Sequence, residues 1–355
     1  MLKNKKFILT LFLGIQFVII YFLKQSPDFV ENTYSKGLYP LISKLMRYAF
    51  GWIPFSVGDI FYTIATIYIF RWLIVNRKRI GNDTIKWLLD ISASLSIIYF
   101  SFHMLWAYNY YRPPLYKSLN MSSDYSTEEL FAFTSQLIEK SNQLHNQLSE
   151  SDSAKVILPY TKSEIFNMAK NGYDMLEVDY SDWHYSPPSL KKSIYSLPLT
   201  YMGFSGYLNP FTNEAQVDGL IPTYKFPTTT CHEIAHQLGY AAENEANFIG
   251  CLAAINNEDT YFKYSGYTFA LRYCIYELHR RNPDLYYELL PLINKGILAN
   301  YMEVQDFWKS YENPLEPIFK TTFDNFLKVN NQADGMKSYS YVVALLVNYF
   351  KTNLL

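Results

Sequence analysis

Two of the chain's six histidines, His232 and His236, stand four residues apart with Glu233 between them. They lie in the stretch TTTCHEIAHQLGYAAENEANFIG, residues 228–250. On an α-helix this spacing puts both imidazoles on one face, one turn apart, so that they can share one metal ion. Glu233 is turned about 100° away from His232. That position suits a general base that takes a proton from a water on the metal, not a ligand. Two imidazoles, one carboxylate and water suit zinc, so the expected cofactor is Zn2+ and the expected chemistry is hydrolysis. A helix with two hydrogen-bonded histidines would carry the same spacing. The residues downstream distinguish the two readings.

A zinc site needs a third protein ligand. If the helix ran on unbroken, Glu243 would keep the same face but lie about 10 Å further along, and Glu245 would point to the opposite face. The helix must therefore break after His236. Gly239 stands where a left-handed C-cap would end it. The following AAENEANFIGCLAAIN reads as a second helix, with Glu243 and Asn247 on one face and Glu245 about 200° from Glu243. With Glu243 as ligand, Asn247 is placed to support a metal-bound histidine or the backbone. With Glu245 as ligand, the residue one turn on is Ile249, which donates nothing. This favours His232, His236 and Glu243 as the metal set. Glu245 is left to cap, to pair or to bind a substrate amine, and Glu214 is a weaker alternative ligand. An oxyanion stabiliser is also needed, with Tyr240, Tyr267, Arg272 and His279 as candidates.

Several elements must position these residues. The chain has 355 residues, with 49% hydrophobic and 18% aromatic composition. That suits a membrane region plus one domain with a sizeable core. A formal net charge of -1 gives no footprint for nucleic acid. Three cysteines without CxxC spacing read as small buried apolar residues, not as a disulfide framework. Apolar runs at about residues 7–23, 55–75 and 87–108 read as three transmembrane helices. Asp59 and Arg71, near the ends of the second run, are expected to snorkel to the interface. The basic segments KNKK (residues 3–6) and NRKR (residues 76–79) fall on one side of three spans. The positive-inside rule puts them in the cytoplasm and residues 111–355 outside it.

After the membrane region, the prolines of YYRPPL stop the third helix. Ser126 to Glu129 form a capping box that opens a helix to about residue 148. A second helix fits residues 162–171, ending at Gly172. Residues 197–222 read as strands joined by turns. Further helices are expected at residues 267–280, 283–292, 304–311 and 338–353. The fold class is mainly α with a small sheet (α+β), a zincin-like domain behind a three-helix anchor.

HExxH with a Glu on a second helix resembles the gluzincin metallopeptidases. Several of those families carry ExxAD on that helix, and here ENEAN, residues 243–247, has Asn in place of Asp. The short spacing after the second His is closer to metzincins, whose third ligand would fall on Ala242. The whole chain resembles a bacterial family of membrane proteins of unknown function with zinc-peptidase motifs. The resemblance rests on PFSVGD, NYYRPPL, GYLNPFTNEA, HEIAHQLG and ENEANF. It implies a multi-pass protein of the bacterial cytoplasmic membrane with an extracytoplasmic metallopeptidase domain. The expected partners are the lipid bilayer and a peptide or protein substrate. The alternative is a catalytically silent zinc-binding envelope protein that serves as a binding or scaffold module.

Overall fold

A computed structural model describes residues 5–333, 335–336 and 341–355. The N-terminal region runs through α1 (Lys5–Lys24), a short α2 (Pro27–Phe29), a π-helical stretch (Val30–Leu38) and α3 (Tyr39–Phe50). It continues with α4 (Val57–Asn76), a short α5 (Arg79–Asn82) and α6 (Thr84–Leu105). Helices α1, α4 and α6 are long and apolar enough to cross a membrane. α1 and α6 pack side by side. Gln16 Nε2 ties them by donating to Ser96 O and Oγ at 3.1 and 3.0 Å. α4 stands apart from that pair. It meets α6 at the far end, where Trp72 and Trp87 stack with centroids 6.1 Å apart.

At its near end α4 is fastened to the domain. Ser56 Oγ accepts from Asp59 N at 2.9 Å. Glu214 accepts from the N–H groups of Val57 and Gly58 at 3.1 and 2.6 Å, so a buried carboxylate caps the positive end of the helix. Asp59 does not snorkel. It is fully buried and accepts from Ser193 Oγ, Ile194 N and the Tyr207 hydroxyl, because the sheet lies against the first turn of α4.

After α6 come a 3-10 turn (Ala107–Tyr111) and a short α7 (Leu115–Ser118). α8 (Thr127–Leu148) and α9 (Lys162–Leu176) both open on complete capping boxes, Ser126 with Glu129 and Thr161 with Glu164. α9 runs through Gly172 instead of ending there. A Cβ on Gly172 would fall 1.8 Å from Ala253 O, so this glycine allows close helix approach and does not stop the helix. Next come β1 (Leu190–Lys192), α10 (Ser196–Met202), β2 (Gly206–Asn209) and β3 (Glu214–Val217). Residues 196–202 are thus helical where strands were expected, and β1 lies upstream of the segment read as strands. The sheet order is β1-β3-β2, with β1 parallel and β2 antiparallel to β3, which leaves β2 at the edge.

α11 (Phe226–Gln237) and α12 (Glu243–Asn256) follow, then α13 (Thr260–Arg281), α14 (Pro283–Leu289), α15 (Lys295–Ser310), α16 (Glu316–Val329) and α17 (Val342–Phe350). α13 and α15 start earlier than their apolar spacing suggested. Asp259 caps α13 by accepting from Tyr261 N and Phe262 N. Part of the expected last helix, residues 338–340, lies outside the described residues. One core joins α8, α9, α11, α12, α13 and α17, and Cys231, Cys251 and Cys274 are all buried in it. α12 forms its centre, with Phe248, Ile249 and Leu252 fully buried.

Candidate metal centre and its cleft

α11 ends at Gln237, and Gly239 takes φ +91°. That conformation is cheap only for glycine. A Cβ there would also crowd Asn109 and the Tyr39 ring at 3.0 Å. The sharp turn brings Tyr240 O back over α11, where it accepts from His236 Nδ1–H at 2.7 Å. This bond fixes the tautomer and turns Nε2 inward.

His236 Nε2 lies 3.1 Å from His232 Nε2. Glu243 Oε2 lies 3.4 Å from His232 Nε2 and 3.7 Å from His236 Nε2. Four-coordinate zinc with its usual bond lengths has ligand–ligand edges of about 3.3 Å. The triangle of two imidazoles and one carboxylate has edges of 3.1 to 3.7 Å, which bracket that value, so these residues could hold a tetrahedral ion. The three residues form a cluster whose ligand atoms all lie within 4.8 Å of one another.

The electrostatics follow from burial and from this contact. Burial works against the charge on Glu243, but the two imidazoles outweigh it and hold the carboxyl well below its usual range. Burial also opposes charge on His236, and Glu243 overcomes it, raising that imidazole to about 9. His232 is lowered, chiefly by burial. Glu233 is pushed up to about 8, mainly by burial. Its Oε1 packs against β2, where a Cβ on Gly206 would fall 2.5 Å away. Its Oε2 has no hydrogen-bond partner, and neither does His232 Nδ1 or Asn247 Nδ2.

The other residues expected at the site are placed as follows. Glu245 points away from the cluster and accepts from Leu115 N at 2.7 Å, beside Arg112. Asn247 lines the cleft, but its amide donates to no histidine. The backbone carbonyl of Tyr240 orients His236 instead, because the turn at Gly239 delivers it first. Glu214 is spent on the start of α4. The hydroxyl of Tyr240 accepts from Trp183 Nε1 at 2.7 Å, outside the cleft. Tyr267 does not line the cleft, whereas Arg272 and His279 do. Two further phenols, Tyr110 and Tyr273, line it and feel the charge of Glu243. Burial is the main cause of their raised pKa, so both stay protonated as donors. No local pattern separates them from the other 31 tyrosines.

The end of α11 is held from α3 and from the segment that follows α6. Trp106 Nε1 donates to His236 O at 3.2 Å. Tyr39 OH and Ser43 Oγ donate to Gln237 O at 3.0 and 2.9 Å. Arg112 Nη1 donates to Gly239 O at 3.0 Å while gripping Glu31 with two bonds of 2.8 Å. These donors satisfy carbonyls that a helix end leaves open. Gln237 completes the joint by donating to Ser189 O and Asn213 O and accepting from Tyr185 OH. A cleft of about 1810 Å³ opens over the cluster and continues between α4 and α6.

A family model described as a protein of unknown function, DUF3810, matches residues 34–347. The chain belongs to this family. The DUF3810 match takes in α3, α4 and α6 as well as the ligand cluster. No curated protein matches the chain significantly. No solved structure does so either.

Proposed function

We propose that this chain is a membrane-anchored zinc metallopeptidase with its domain outside the bacterial cytoplasmic membrane. The observation that supports this best is the triangle of His232, His236 and Glu243, with ligand edges of 3.1 to 3.7 Å, beside the buried Glu233. Bound zinc would supply Lewis acidity and make water a nucleophile near neutral pH.

The chain's own groups supply the rest. β3 spends the N–H of Ala215 and the C=O of Val217 on the β1 side. The ladder to β2 therefore runs through Ser205, Tyr207 and Asn209. By alternation, Gly206 and Leu208 offer their N–H and C=O groups outward, to a peptide added as a further strand. Gly206 is the residue against which Glu233 packs, so such a peptide runs past the base. Glu233 takes the proton of the attacking water and passes it to the departing amine as the C–N bond breaks. Asn247 Nδ2, Tyr110 and Tyr273 are the donors available to the carbonyl oxygen.

The experiment uses purified full-length protein, with metal content and cleavage of a peptide library as readouts. Glu233→Gln is expected to retain about one zinc per chain and to lose roughly 10²–10⁴-fold in kcat. His236→Ala is expected to lose the metal. Wild-type cleavage by Glu233→Gln would remove the assigned base. Zinc at one equivalent with no cleavage would instead favour the silent zinc-binding reading.

A further inference from the structure

The cleft is larger than a usual small-ligand pocket. Ligand pockets usually measure about 300–1,000 Å³, and this one holds about 1810 Å³. Its extra volume runs toward the membrane region. Tyr62 and Thr66 of α4 and Ile98 and Phe102 of α6 line that arm. Thr66 lies nine residues into α4 and Ile98 seven residues before the end of α6. At 1.5 Å per residue the arm reaches about 10–14 Å into the spans. A hydrocarbon core is about 30 Å thick, so with α4 and α6 spanning it this depth would reach the acyl chains.

The two helices are closed at the far end by the Trp72–Trp87 stack. At the near end the hairpin holds α4 through Phe61–Phe211 and Tyr62–Tyr207 contacts. The gap is therefore a wedge with its mouth at the metal cluster. Its walls are aromatic and aliphatic.

The opposite arm is cationic. Lys225 and Arg272 both line it. Lys225 Nζ donates to Ser205 Oγ at 2.9 Å and lies 5.7 Å above the Trp308 ring. Arg272 lies 5.9 Å from the Tyr301 ring centroid. Neither is ion-paired to a carboxylate among the described residues, though Lys225 feels Asp218 at longer range. An occupant of the whole cleft is thus apolar at one end, peptidic where it passes β2, and acidic at the other end.

We propose that the cleft takes a lipid-anchored peptide sideways from the bilayer, its acyl chain between α4 and α6 and an acidic group against Lys225 and Arg272. This rests on the peptidase reading. It adds that the substrate never leaves the membrane: the acyl chain stays in the wedge while the peptide crosses the ligand cluster.

The test uses the full chain in phosphatidylcholine vesicles. An N-palmitoyl acidic peptide with a diazirine in its acyl chain is photolysed with the Glu233→Gln variant, and the labelled residues are mapped. Labelling concentrated on Tyr62, Thr66, Ile98 and Phe102, and displaced by excess unlabelled acyl peptide, is expected. Labelling spread evenly over the outward faces of α1, α4 and α6 would overturn the proposal. Equal labelling of the wedge by a diazirine phosphatidylcholine would also overturn it. With zinc-loaded wild type, kcat/KM for the palmitoyl peptide is expected to exceed that for its acetyl counterpart at least tenfold. Ile98→Trp is expected to abolish that ratio, and a ratio that survives the substitution counts against the wedge. Mapped labelling with no hydrolysis of either peptide supports the acyl arm and removes the peptidase reading.

Discussion

The two sides of α11 are held by different physics. Its core-facing side is packed: Phe226, Cys231 and Ile234 are fully buried against the helices of the main core. Its end toward the membrane region is tied by a few directed bonds from Trp106, Tyr39, Ser43 and Arg112. Packing sums many small contacts and fails when volumes change. Directed bonds to carbonyls are few, and each broken one leaves a buried group unsatisfied. The core side keeps the helix in existence, and the membrane side sets where its last turn, and so His236, points.

Substitutions can break this contrast. Gly172→Val should have the largest effect, since its Cβ falls 1.8 Å from Ala253 O and α9 must move off α12. A loss of more than about 3 kcal/mol is expected, read as a large drop in thermal stability in detergent. Unchanged stability would show that close approach does not govern the core side.

On the other side, Tyr39→Phe removes the donor to Gln237 O and the acceptor for Asn213 Nδ2. About 1–3 kcal/mol should be lost, together with weaker zinc affinity in a chelator competition. Equal zinc affinity in wild type and variant would mean that the membrane side stabilises without aiming His236.

Gly239→Ala tests the turn between the two. With φ at +91° and crowding at 3.0 Å, it should cost about 1–2 kcal/mol. Its effect on metal retention should exceed that of an alanine substitution on an exposed turn.

The smallest expected effect concerns Lys225, at the start of α11. Burial, with Arg272 beside it, lowers its ammonium to about 8. The unfolded chain therefore binds more protons between pH 8 and 10.5, and stability rises with pH across that window. Below pH 8 the buried charge costs the fold. Relative to Lys225→Met, wild type should gain about 1–2 kcal/mol between pH 8 and 10.5, measured by denaturant unfolding at each pH. This is discounted from the ~3.4 kcal/mol of the full shift because the side chain is only half-buried and water screens it. A flat difference would place Lys225 in water.

Much of this was legible locally. Helical phase puts Glu243 and Glu245 about 200° apart, and Asn247 one turn on favours Glu243; a shared metal requires a break after His236, and Gly239 stands where it occurs. The capping boxes at Ser126 and Thr161 are local bonds and are visible as such. What sequence did not reveal is tertiary. Asp59 looks like a charge near a membrane end, but the sheet buries it. Gly172 looks like a stop, but a neighbouring backbone makes it a contact. Tyr39 and Trp106 lie 197 and 130 residues from His236, and no periodicity marks the carbonyls they reach.

The caps of α11 also carry a consequence for how the protein is made. Every side-chain donor to the carbonyls of His236, Gln237 and Gly239, from Tyr39 to Arg112, precedes the helix in the chain. A ribosome therefore completes those donors, and all three candidate spans, before His232 is made. The last turn of the ligand helix can dock onto a prepared surface as it emerges. A nascent chain that failed to insert its spans would meet no such surface, so the His232–His236–Glu243 cluster would assemble only at the bilayer.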